Sequence, residues 1–158
     1  MTADRPHAVR VAGVVVDARG RALLVKRRDG GGWEPPGGTL DAAATIPEAL
    51  RREVLAETGV TIALPATLTG VYKDMTGPAL SLVFRCTARD GAPVTGPRTR
   101  AWRWATRTEV ADLADGASAA RVLDALDAVG GLSGLNGLNG LDSGATVVVG
   151  TQAGAVPR

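Results

Sequence analysis

Residues 37–60 read GGTLDAAATIPEALRREVLAETGV, and they constrain the fold more than any other stretch of the chain. Both ends of a helix are written into them. Thr45 and Glu48 have capping-box spacing, in which a threonine and a glutamate three residues on each satisfy a free backbone N–H. Pro47 falls in the first turn, where a missing N–H costs little. Ile46, Leu50 and Val54 recur at four-residue spacing, with Ala49 able to join them, and make one apolar face. Gly59 follows the last helical position and suits the left-handed residue that closes many helices. The pattern predicts a helix over residues 46–58 with one buried face.

Glu53 and Glu57 lie four residues apart in that helix, on one face and a turn apart. Two carboxylates so placed repel by about 0.2–0.5 kcal/mol. A divalent cation between them reverses that sign, because hard cations such as Mg²⁺ take oxygen ligands. Just upstream, Pro35, Pro36, Gly37 and Gly38 form a rigid corner followed by a permissive one. A backbone carbonyl there can approach a metal closely, since glycine has no side chain in the way. The plainer alternative for the two acids is a solvated face.

The remaining pattern is mixed α/β. Residues 7–17 and 21–28 read as strands joined by a turn, and so as a hairpin. Short strands are expected at 60–64 and 67–73, a longer one at 80–88, and another at 101–105. Thr106 and Glu109 repeat the capping-box spacing and start a short helix. A further helix covers 117–129 and is closed by Gly130. Residues 1–130 form one domain on this reading. From Gly131 the run GLSGLNGLNGLD repeats glycine, leucine and a small polar residue without helix or strand periodicity. Ordering it alone costs too much backbone entropy, so 131–158 is expected to be a mostly disordered tail, although ATVVVG has the composition of a short edge strand.

Composition excludes several classes. At 158 residues with 45% apolar content, one sizeable core is available. Aromatics are 3% of the chain, too few for a base-stacking platform, and the net charge of +2 falls short of a nucleic-acid footprint while suiting a small anionic substrate. With only His7 and Cys86, an intrachain disulfide, a structural zinc site and a Ser-His-Asp triad all lack parts. Cys86 sits in the apolar run LSLVFRCTA and reads as a buried thiol. A reducing cytoplasm is the expected setting. No apolar run reaches 18 residues and the N-terminus lacks an apolar signal segment, so no membrane span is expected.

The stretch around the helix resembles the Nudix box, whose pattern is Gly, five residues, Glu, seven residues, then Arg-Glu-apolar-x-Glu-Glu-x-Gly-apolar. Here the first glycine is Gly38, and the closing run is Arg52, Glu53, Val54, Leu55, Ala56, Glu57, Thr58, Gly59, Val60. WEPPGG (33–38), RALLVKRR (21–28) and GVYKDM (70–75) add to the resemblance, which covers roughly residues 8–130. It implies an α/β (α+β) fold: an α/β/α sandwich whose mixed sheet carries the box helix. It also implies Mg²⁺ or Mn²⁺ held by Glu53, Glu57 and the Gly38 carbonyl. Arg52 would orient the catalytic acid by ion pairing, where the plainer reading is a surface pair with Glu48. Arg52, Glu53 and Glu57 are thus the candidate catalytic residues. Relatives are often dimers, so a homodimer is compatible, although no interface pattern shows one.

The departures from the box matter equally. Ala44 and Ala56 stand where the pattern has glutamates. A later loop that brings another acid in many relatives reads GPRTR (96–100) here, with Arg98 and Arg100. The expectation is one weakly held ion that depends on substrate for affinity. Arg27, Arg28, Lys73 and Arg98 are the candidate substrate-binding residues, since guanidinium groups bind phosphate with paired hydrogen bonds. The bland alternative for each is solvated surface charge. Among Trp33, Trp102 and Trp104, packing is expected for two of the three, and Trp102 and Trp104 alternate onto one strand face. The resemblance implies a metal-dependent hydrolase cleaving a diphosphate bond in a nucleoside diphosphate linked to another group. The alternative is a weakened relative that binds a phosphorylated ligand or catalyses an atypical reaction on the same scaffold.

Overall fold

Side-chain alternation along the valine-rich first strand sets the architecture. In the computed structural model, which describes residues 6–128 and 149–152, β1 spans Ala8–Val16. Val11 and Val15 enter one core cluster, and Val14 and Val16 enter another on the opposite face. A strand buried on both faces needs helices on both, and the chain supplies them.

β2 (Ala22–Arg27) returns antiparallel after a tight turn. There the Asp17 carboxylate accepts the Arg19 and Arg21 N–H groups and pairs with the Arg21 guanidinium at 2.8 Å. The predicted hairpin is real but brief: only Val16 and Ala22 are in register before the strands part. β2 goes on to pair with β3 (Trp33–Glu34) and β8 (Thr99–Ala105). β1 instead runs parallel to β7 (Ala79–Asp90) over nine pairs, from Ala8↔Ala79 to Val16↔Thr87. Its other edge takes β4 (Gly37–Thr39), antiparallel, through Arg10, Val11 and Ala12. β6 (Thr67–Asp74) extends the sheet beyond β7, and β5 (Thr61–Ile62) pairs with the far end of β7. β9 (Val149–Gln152) lies parallel to β6.

α1 (Ile46–Thr58) covers one face and α2 (Arg107–Leu113) with α3 (Gly116–Asp127) the other. α1 spans Ile46–Thr58, the range read from its caps. Thr45 Oγ1 accepts the Glu48 N–H at 3.3 Å, and Glu48 Oε2 accepts the Thr45 N–H at 2.9 Å. Gly59 closes the helix at φ 73°, a left-handed conformation that suits glycine, and donates to the Leu55 carbonyl. Thr106 and Glu109 form the same box for α2. Leu50 and Val54 pack with Val11, Val15, Leu23 and Cys86, whereas Val110, Val122 and Ala125 pack with Val14, Leu24 and Tyr72.

Two local expectations change, and that of two packed tryptophans holds. The proline–glycine corner is a strand: Gly37–Thr39 is hydrogen-bonded into the sheet beside β1. Ile46 leaves the buried stripe and is 37% exposed. It sits beside Pro47, Leu64, Pro65 and Phe84 at a shallow apolar dent. Trp33 and Trp104 pack against the two core clusters, while Trp102 stays exposed on the Trp104 face of β8. Gly130 and the expected tail at 131–158 lie outside the described residues, apart from 149–152.

Cys86 is buried beneath α1, and burial pushes its thiol up to about 12. The folded protein is therefore expected to resist iodoacetamide at pH 8, where the thiolate is the reactive form. Mass spectrometry should show alkylation only after denaturant is added.

Candidate active site

The acids of α1 owe their burial to helix phase. At about 100° per residue, Glu57 lies about 20° from Leu50 around the helix and Glu53 about 60°. Leu50 points into the core, so both acids follow it inward: Glu57 is 1% exposed and Glu53 9%. A solvated acidic face is thereby excluded.

β4 explains what surrounds them. Gly37 donates its N–H to Glu57 Oε2 at 3.2 Å. A Cβ on Gly38 would lie 2.3 Å from Glu53 Oε2, so that carboxylate rests directly on the glycine. A Cβ on Gly37 would lie 2.2 Å from the Val11 carbonyl oxygen. The two glycines are required by space, since neither has positive φ.

Arg98 meets the same pair. Its Nη2 donates to Glu53 Oε2 at 2.7 Å and stands 3.8 Å from Glu57 Oε1. The turn that carries it is fastened from both sides. Thr99 Oγ1 donates to the Glu57 carbonyl at 3.0 Å and accepts the Gly96 N–H at 2.8 Å. Arg28 donates its N–H to the Arg98 carbonyl at 2.9 Å and its Nε to the Gly96 carbonyl at 3.4 Å. Arg28 thus holds the turn that presents Arg98.

Arg52 has a different partner from the Glu48 of the plainer reading. Its Nη2 donates to Asp41 Oδ2 at 3.0 Å, and its Nε is 3.6 Å from Glu53 Oε1. Glu53 therefore stands between two guanidinium groups. Arg27 pairs with Asp29 at 3.0 Å and with Glu34 at 3.7 Å. Lys73 is on β6, two strands from β1, and no hydrogen bond or ion pair joins it to the acids among the described residues.

Burial pushes the Glu57 carboxyl above its ordinary value; the Gly37 N–H and Arg98 pull it back, and the Glu34 charge adds to the rise. Burial likewise raises Glu34, with Arg27 opposing. The sequence reading passed over Glu34 as part of the approach to the glycines. The available signal was its place next to Trp33 in WEPPGG: alternation turns one residue inward and the other to the cleft. Glu34, Pro35 and Gly37 also line a small, partly open polar pocket with Arg10, Ser81 and Ser118. Nothing in local sequence connects those residues, which come from five separate elements.

The donor set fits a hard cation. Glu57 Oε1 is buried and accepts no hydrogen bond among the described residues. It and Glu53 Oε2 converge on one positive group, Arg98. Carboxylate oxygens from two residues beside a strand backbone are what Mg²⁺ or Mn²⁺ accepts. No group of three or more His, Cys, Asp or Glu able to hold a metal occurs among the described residues. One ion, with further oxygens drawn from elsewhere, fits these residues better than a cluster.

Comparison with known proteins agrees with this geometry. A model of the NUDIX domain matches residues 6–126. A MutT-like protein of Streptomyces ambofaciens is 44% identical over 106 residues, covering 67% of this chain and 68% of the relative. A Bacillus subtilis protein provisionally named an 8-oxo-dGTP diphosphatase is 43% identical over 60 residues, which is 38% of this chain and 40% of that one. Among solved structures, a NUDIX hydrolase from Nitrosomonas europaea superposes with a TM-score of 0.74 at 17% identity, covering 96% of this chain and 82% of that one.

Proposed function

Because the chain belongs to the NUDIX domain family, we propose that it is a metal-dependent pyrophosphohydrolase of a nucleoside diphosphate linked to another group. The observation that carries this reading is Glu57, a buried carboxylate with one oxygen left without a hydrogen bond, beside Glu53, whose carboxylate rests against the glycine strand. A carboxylate held that way costs folding free energy unless a ligand uses it.

Glu53 and Glu57 would hold the cation, and a divalent ion there would screen the diphosphate charge and lower the pKa of the attacking water. The glycine strand adds a backbone carbonyl. Gly13 donates its N–H to the Pro36 carbonyl, and Leu40 to that of Val9. Alternation of hydrogen-bonded and free pairs then ties the Gly38 carbonyl to Val11 and leaves the Gly37 carbonyl on the side of its own N–H. That register favours Gly37 over the Gly38 oxygen expected from the sequence. Glu57, raised by burial, is a candidate to take a proton from water. Arg52 steadies Glu53 from the side opposite Arg98.

The phosphates are assigned to Arg27, Arg28 and Arg98, with Lys73 left as a surface charge. The small polar pocket lined by Arg10, Glu34, Ser81 and Ser118 adjoins Gly37 and is assigned to a polar part of the remaining substrate. That lining offers charge and hydroxyls without an aromatic platform, so it selects by hydrogen bonds to a base or sugar. The name of the Bacillus subtilis relative makes an oxidised purine nucleotide the first substrate to try. No helix among the described residues is long and apolar enough to cross a membrane, and the one thiol suits a cytoplasmic setting.

Arg98 gives some weight to a second reading, in which the protein holds a phosphorylated ligand without turnover. A panel of nucleoside diphosphate compounds separates the two. Release of phosphate, pyrophosphate or a nucleoside monophosphate is expected with Mg²⁺ or Mn²⁺ and should vanish on chelation. Thermal stabilisation by panel members with no product from any of them would support the binder instead.

A further inference from the structure

We propose that Arg98 is a tethered cation that occupies the Glu53–Glu57 pair until substrate draws it away, so that metal binding is conditional on substrate. The inference rests on the metal role given above to the two acids. Three observations carry it.

The first is position. Arg98 Nη2 lies 2.7 Å from Glu53 Oε2 and 3.8 Å from Glu57 Oε1, so its charge sits where those two oxygens converge. A divalent ion bridging them cannot share that place, because like charges at contact distance repel strongly in a partly buried site. The second is anchoring. The 96–99 turn is bonded to the Glu57 carbonyl through Thr99 and to β2 through Arg28, so the fold itself aims the guanidinium at the acids. The third is freedom at the tip. The Arg98 side chain remains 46% exposed, which leaves it a path to swing within the cleft while its backbone stays fixed.

A diphosphate entering the cleft offers the guanidinium a second anionic partner with matching paired geometry. Arg98 then exchanges carboxylate for phosphate, and the acids become available to the ion. Linkage requires reciprocity: whatever factor the diphosphate adds to metal affinity, the metal adds to diphosphate affinity. Idle metal loading is suppressed, and the charged substrate assembles its own site.

The test is Mn²⁺ alone, with free ion counted by electron paramagnetic resonance, on the full chain. Arg98→Ala is expected to bind Mn²⁺ about 5- to 150-fold more tightly than the native protein, the usual range for coupling between two binding events. Arg98→Lys keeps the charge and should stay near the native value. Adding methylenediphosphonate should tighten Mn²⁺ binding to the native protein and do so much less in Arg98→Ala. Glu57→Gln supplies the background for every measurement. Equal, Glu57-dependent affinities in native protein and Arg98→Ala, or no effect of the diphosphonate on the native protein, overturn the exchange and leave the hydrolase reading standing. Mn²⁺ binding that never depends on Glu57 overturns both.

Discussion

Replacing Glu57 with glutamine is expected to cut turnover by roughly 10²- to 10⁴-fold, the range for losing a positioned proton acceptor, while raising the melting temperature. The opposite signs come from one cause. Burial raises the Glu57 carboxyl in the folded state above the ordinary 4.5 it has in the unfolded chain. Between that value and the folded one, the native state binds more protons than the unfolded state, so stability falls as pH rises through this window. Above the folded value the ionised side chain imposes its full cost on folding. Glutamine keeps the shape, still accepts the Gly37 N–H and carries no charge to bury. The gain should be largest above the folded value and shrink as pH falls toward 4.5; each 1 kcal/mol corresponds to about 2–4 °C in a chain of this size. Calorimetry at several pH values, beside turnover of the same samples, checks both halves. A glutamine variant with native turnover would remove the basis of the hydrolase reading.

The second large effect separates two adjacent glycines. In Gly37→Ala the new methyl would stand 2.2 Å from the Val11 carbonyl oxygen and 2.9 Å from the Ala12 Cα. Both neighbours are backbone, so β4 must separate from β1, and a loss of about 3 kcal/mol or more is expected. In Gly38→Ala the methyl would meet Glu53 Oε2 at 2.3 Å and its Cδ at 2.5 Å. That neighbour is the end of a flexible side chain. The fold should survive with little change in stability, but Glu53 must leave its place and hydrolysis should collapse. Urea titration with activity measurements on both variants distinguishes them. If Gly38→Ala kept full activity, the placement of Glu53 against that glycine would be irrelevant to chemistry.

Legibility differed by region for physical reasons. α1 was readable to the residue because capping boxes and a closing glycine are local signals, and the same holds for the start of α2. The long strands carried enough alternation to be found. β3 and β4, of two and three residues, are too short to show a period, and proline and glycine disguised them as a turn. The acids and Arg52 were visible because the box is contiguous. Arg98 was visible as a departure from the acid that many relatives carry in a later loop, but its contact with both acids depends on a turn pinned across the sheet, which no spacing reports. Lys73 shows the converse: its segment resembles the family, while β6 sits on the far side of β7 from β1, a placement that only the sheet order reveals. Arg10, Ser81 and Ser118 meet only through tertiary packing.

The pairing of Ala8 with Ala79 means that the first strand waits for a partner made much later in synthesis. Residues 37–60 already contain the glycines and both acids, but a nascent chain ending there lacks the platform that brings them face to face. Chemical competence is therefore delayed until the ribosome has delivered Ala79–Asp90 and the turn bearing Arg98, and a peptide cut to the signature alone would be inert however faithfully it matched the pattern.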